Sequence, residues 1–117
     1  MRDFKKLLVW QKGIDLFIYT DKLVRKLPVA ERYETCSQLR RAALSIPSNI
    51  AEGSAYHSQA QYRIYLERSL GSAFETETVL IAIDKSYPDS YAHEIAYCTS
   101  LVLEIQKMLM AFLVKLK

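Results

Sequence analysis

The sequence predicts an all-α protein, an antiparallel up-down-up-down four-helix bundle that occupies residues 1–117 as a single domain. Three observations carry that prediction. Only three Gly and three Pro occur in 117 residues, far fewer breaks than a turn-rich β fold needs. Half of the residues are apolar and a quarter are charged, a balance that supports one hydrophobic core. Apolar residues recur at three- and four-residue steps through four long segments, and no useful stretch alternates with a β period.

The first segment runs from about Lys6 to Lys26 and stops at Leu27-Pro28, because the residue before a proline is pushed out of the helical region. Trp10, Ile14, Phe17 and Val24 set its apolar stripe, with Leu16, Leu23 and Leu27 on the flank and Asp21 as the one interruption. The second runs from about Glu31 to Ala55 on a stripe of Cys36, Leu39, Ala43, Ile46 and Ile50. Pro47 lies inside it and removes one backbone hydrogen bond, so a kink or a brief restart is expected, with Asn49 and Glu52 as a local capping box.

The third segment opens at Ser58, whose hydroxyl suits an N-cap with Gln61 as its partner. Tyr62, Leu66, Leu70, Ala73, Leu80 and Ile83 form its core face. Ser69, Gly71, Ser72 and Ala73 are small and adjacent, the mark of a close helix approach. A mid-helix glycine costs about 1 kcal/mol against alanine, so Gly71 is expected to sit in a packing contact. The fourth segment begins at Pro88-Asp89 and carries Tyr91, Ile95, Cys98, Val102, Ile105, Leu109, Phe112 and Leu116 at alternating four- and three-residue steps.

That last helix is apolar on more sides than three neighbours can cover. Glu104, Lys107 and Lys115 share one narrow sector, while Leu101, Leu103, Met108, Met110, Leu113 and Val114 cover much of the rest. Exposed apolar area costs roughly 25 cal/mol per Å², so a homo-oligomer is expected, with Leu103, Met110, Leu113 and Val114 at the interface. The run from Leu101 to Leu116 is short of the roughly 20 apolar residues of a bilayer span and is interrupted by charge, so no membrane partner is expected. The N-terminus lacks a signal-peptide core, and Cys36 and Cys98 read as reduced thiols of a cytoplasmic protein.

The net charge of +3 is too small to establish a nucleic-acid partner by itself. Its distribution is more telling: residues 1–41 hold ten Lys/Arg against five acids, which leaves −2 for the remainder. Lys12, Lys22, Arg25, Lys26, Arg40 and Arg41 are the candidates for contact with an RNA or DNA backbone, although an ordinary solvated surface fits the same count. Ser45, Asn49 and Glu52 read as a structural polar network. The plainer reading of Arg41 pairs it with Glu52 or Ser45 across Pro47. Tyr56, His57, Tyr62 and Tyr65 read as packing at a helix junction before they read as a base-stacking site.

No catalytic or metal constellation stands out. His57 and His93 lie on different segments, Glu75 and Glu77 are two apart and hence on different helix faces, and no phosphate loop or cysteine pair occurs. The sequence therefore predicts a non-enzyme without metal or cofactor. A structural or protein-partner module without nucleic-acid binding is the alternative.

Leu8-Val9-Trp10-Gln11-Lys12, Gln38-Leu39-Arg40-Arg41-Ala42-Ala43, Ser45-Ile46-Pro47-Ser48-Asn49-Ile50-Ala51-Glu52-Gly53, and Gly71-Ser72 with Glu75 follow one another along the chain. In that order they resemble the bacterial four-helix bundle family whose founding members are encoded in intervening sequences of 23S ribosomal RNA genes. The resemblance implies a small cytoplasmic bundle assembled as a homopentameric ring, with no catalytic residues. A similar fold in accessory proteins of diversity-generating retroelements implies nucleic-acid and reverse-transcriptase binding, by analogy at the level of the fold.

Overall fold

The computed structural model describes residues 2–28 and 34–116, and every regular element among them is helical. A 3-10 turn at Phe4–Lys6, capped by the Asp3 carboxylate accepting from the Lys5 amide, leads into α1 (Leu8–Val24). Helices α2 (Thr35–Ser54), α3 (Gln59–Ser86) and α4 (Ala92–Lys115) follow. The expected start of α2 at Glu31 lies outside the described residues. Ser58 caps α3 as predicted, its hydroxyl accepting from the Gln61 amide at 3.3 Å.

Contacts between the helices fix their directions. Gly13 meets Pro47 and Asp21 meets Arg40 between α1 and α2. Gln38 meets Glu75, and Ser45 meets Ser72, between α2 and α3. Arg63 reaches the Leu113 carbonyl, and Glu77 meets Gln106, between α3 and α4. Lys12 meets Glu104 and Lys26 meets Glu94 between α1 and α4. In each pair the numbering rises on one helix as it falls on the other, so all four neighbours are antiparallel and α1 closes against α4. The molecule measures 44 × 23 × 20 Å, its long axis set by the 28 residues of α3 at about 1.5 Å each.

The predicted stripes of α2, α3 and α4 are the core, with Leu70 and the terminal aromatics Tyr91 and Phe112 partly covered. Helix α1 is a correction. Its buried residues are Val9, Gly13, Leu16, Thr20, Leu23, Val24 and Leu27, so the expected Val24 and the flanking leucines are core, whereas Trp10, Ile14 and Phe17 are only half-buried and the seam there lies one residue behind the expected stripe. Gly13 and Thr20 conceal this register because neither reads as apolar. Gly13 admits the Pro47 ring, whose Cδ would lie 3.2 Å from an added Cβ.

Four further expectations are revised. Helix α2 runs through Pro47 without restarting, so Asn49 and Glu52 cap nothing. Gly71 has nothing within 4 Å of an added Cβ; the close approach belongs to its neighbours Ser69 and Ala73, both buried, and to Gly53, where a Cβ would lie 2.7 Å from that of Tyr65. Helix α4 starts at Ala92, because Asp89 adopts a left-handed φ of 64° that stops Pro88 from joining the helix. With 24 residues, α4 is also long and apolar enough to cross a membrane by length and composition. Only a third of its most apolar window is buried within the chain.

Candidate interaction surfaces

The six predicted cations do not form one face. Lys12 Nζ lies 2.8 Å from Glu104, and Lys26 Nζ 2.6 Å from Glu94, both across α1 and α4. Arg25 and Arg40 converge from α1 and α2 on Asp21, at 2.9 and 3.0 Å. Lys22 lies over the Tyr19 ring, 5.0 Å from its centroid, and has no ion pair among the described residues. Arg41 points to the other side of α2, lining an open cleft with Gln38, Ala42, Ser45 and Glu75. It too has no ion pair among the described residues, and pairs with neither Glu52 nor Ser45. Four of the six charges are thus met by acids of the same chain, a pairing that sequence counting does not reveal.

The polar residues of α2 tie that helix to α3. Asn49 donates to both the carbonyl and the hydroxyl of Ser45, each at 2.8 Å. Ser72 donates to the Ser45 hydroxyl at 2.8 Å, and the buried Ser69 hydroxyl donates to the Ile46 carbonyl at 2.8 Å. The structure therefore joins Ser45 and Asn49 as expected but leaves Glu52 exposed and outside their network. Ser69 and Ser72 take its place. A hydroxyl is short enough to bond across closely packed backbones, which is why serine stands where a larger residue would hold the helices apart.

Two apolar bands remain uncovered. The Glu77–Gln106 bond marks the seam of α3 and α4. Phe74 and Ile81, three and four residues from Glu77, and Leu103 and Met110, three and four from Gln106, flank it, followed by Val114 one turn on. Their exposures run from 38% at Leu103 to 64% at Val114. Leu113, expected in this interface, is a correction: it continues the four-residue step from Leu109 and is buried in its own subunit. The Asp21–Arg40 pair likewise marks the seam of α1 and α2, flanked by half-buried Ile14 and Phe17 and by exposed Ile18 and Leu44. With α1 to α4 arranged in cyclic order, these bands lie on opposite sides of the bundle.

Among the described residues, the tyrosines divide between the two ends of the bundle. Tyr56 and Tyr65 stack at 5.3 Å with an interplanar angle of 20°, Arg68 lies over Tyr65, and Tyr62 is buried edge-on against Phe112, so this junction is packing. At the other end Tyr19, Lys22, Lys26, His93, Glu94 and Tyr97 surround a cleft between α1 and α4 with Cys98 at its floor. Burial pushes the Cys98 thiol up to about 11, so it stays protonated and is no nucleophile at neutral pH. Sequence reasoning missed Tyr19 and Tyr97; the three-residue step from Tyr19 to Lys22 was the available signal. Among the described residues, no group of three or more metal-ligating side chains gathers.

A family model described as 23S rRNA-intervening sequence protein matches residues 5–111. Among solved structures, the chain is similar to a protein of unknown function from the S23 ribosomal protein family of Bacteroides thetaiotaomicron. That likeness covers 91% of this chain and 98% of the other, with a TM-score of 0.81 and 21% identity, and it shows the shared fold. No curated protein matches the sequence.

Proposed function

The chain belongs to the 23S rRNA-intervening sequence protein family, and we propose that it is a non-enzymatic, self-assembling module whose assembly presents cations to an RNA or DNA backbone. The supporting observation is the pair of apolar bands on opposite sides of the bundle. Where the α3–α4 band of one copy meets the α1–α2 band of the next, the contact is head-to-tail, and it closes into a ring when the rotation allows. Five copies is the number that the family resemblance implies. The α4–α1 and α2–α3 sides stay uncovered in such a ring, and they carry Lys22 and Arg41. Repetition around the ring multiplies a charge that is weak in one copy.

The test is retention of a structured RNA at low salt by the wild-type chain and by Val114→Asp, which places a carboxylate in the α3–α4 band. The proposal expects retention that falls steeply with added salt and is weakened in the variant, because fewer phosphates are neutralised together. Absence of retention at low salt removes the nucleic-acid reading. A protein-partner module is the second reading, favoured by the internal pairing of Lys12, Arg25, Lys26 and Arg40.

A further inference from the structure

We propose that the cleft between α1 and α4 holds an unpaired nucleotide, its base stacked against Tyr97 and its phosphate reached by Lys22. This inference rests on the nucleic-acid reading above and narrows the partner to a single-stranded stretch. The cleft measures about 290 Å³, just below the usual range for small-ligand sites, and its walls are mostly apolar with charged groups at the rim.

Two of the tyrosine pairs differ in how their rings meet. Tyr56 and Tyr65 lie nearly parallel, so each covers a face of the other. Tyr19 and Tyr97 approach to 4.5 Å but are inclined at 58°, with 37% and 51% of their surfaces exposed. A tilted, half-exposed pair offers ring surface that water wets poorly and a flat base covers well. Lys22 is the charge available to a phosphate. Glu94 is already met by Lys26 at 2.6 Å, while Lys22, held over Tyr19, has no acid partner among the described residues. His93 adds a donor at the rim, while further along the groove Asp15 lies near Tyr97 and Lys12, also near it, is paired with Glu104.

The geometry also discriminates between strands. Bases inside a duplex keep their faces stacked on one another, so a ring platform has nothing to engage until a base is unpaired. A tyrosine platform with a lysine beside it therefore selects loops, bulges and single strands, and tolerates any base because each has a π-face.

The experiment compares the binding of a fluorescein-labelled oligouridylate and of a duplex of equal length by fluorescence anisotropy. Tyr97→Ala is expected to weaken the single strand about ten-fold and to leave the duplex unchanged, and Tyr97→Phe to stay within about two-fold of wild type. Lys22→Ala is expected to lower the salt slope by about one. Tyr97 is half-exposed, and a thermal melt of each variant checks that the bundle is intact. Equal affinity of Tyr97→Ala and wild type for oligouridylate overturns the inference and leaves the broader reading standing, as does equal loss on the duplex. Failure of the wild type to bind either probe overturns both.

Discussion

Helices α2 and α3 are joined by small residues, and helices α1 and α4 by long ones. Along α2–α3, Ser45, Ser69, Ser72 and Gly53 let the backbones approach until hydroxyls reach across and a single Cβ would not fit. Along α1–α4, Lys12, Lys26, Glu94 and Glu104 span the seam with ion pairs, and the tilted Tyr19–Tyr97 pair borders a cleft. The first seam is fixed by packing, where one methyl is felt. The second is bridged by solvated charge, where most single changes are absorbed. A bundle built this way is closely packed on one side and leaves a cleft on the other.

The largest expected effect falls on the close seam. Gly53→Val forces a side chain into the space of Tyr65 and is expected to cost about 2 kcal/mol, read by urea denaturation. An unchanged midpoint would mean that the seam yields, and the contrast would fail. Ser69→Ala removes a buried donor from the Ile46 carbonyl and is expected to cost about 1 kcal/mol by the same measurement.

Gly71 sharpens the comparison because it stands among these small residues yet meets nothing. Gly71→Ala is expected to raise stability by about 0.5–1 kcal/mol, since the methyl enters open space and the unfolded chain loses freedom. A loss would place a neighbour there. On the open seam, Lys12→Met is expected to change stability by no more than about 0.5 kcal/mol.

Acid offers the mildest test. Hydrogen bonding to Lys26 holds the Glu94 carboxyl below its ordinary range, so its contribution is present above the unfolded carboxylate value and is lost as pH falls through the lower folded one. An NMR titration should therefore show shifts at Lys26 and Glu94 in acid while Ser45 and Ser72 stay fixed. Movement of both seams together would contradict their independence.

The sequence revealed the fold more fully than the surfaces. Four stripes at helical spacing, a serine cap at α3 and a broadly apolar α4 were legible because periodicity records which side of a helix meets the core. The stripe of α1 is legible at Val24 and its flanking leucines but lies one residue behind the apolar pattern at Trp10, Ile14 and Phe17, because Gly13 and Thr20 do the packing of apolar residues without resembling them. Gly71 marks a packing contact by composition alone, whereas geometry shows that the glycine a neighbour touches is Gly53. The cation candidates were legible as types, and the i,i+4 pairing of Arg25 with Asp21 was within reach of spacing along one helix, but Glu104, Glu94 and Asp21 meet Lys12, Lys26 and Arg40 across helix seams that such spacing cannot predict. Tyr19 and Tyr97 are distant in sequence and meet only because α1 and α4 run antiparallel.

Sedimentation equilibrium at micromolar concentration measures most directly whether the two apolar bands meet between copies. The wild-type chain is expected to give a multiple of 13.5 kDa, independent of further dilution over a wide range, and Met110→Asp with Val114→Asp to give 13.5 kDa. A wild-type mass of 13.5 kDa at every concentration, with Leu103, Met110 and Val114 left in water, would contradict the account.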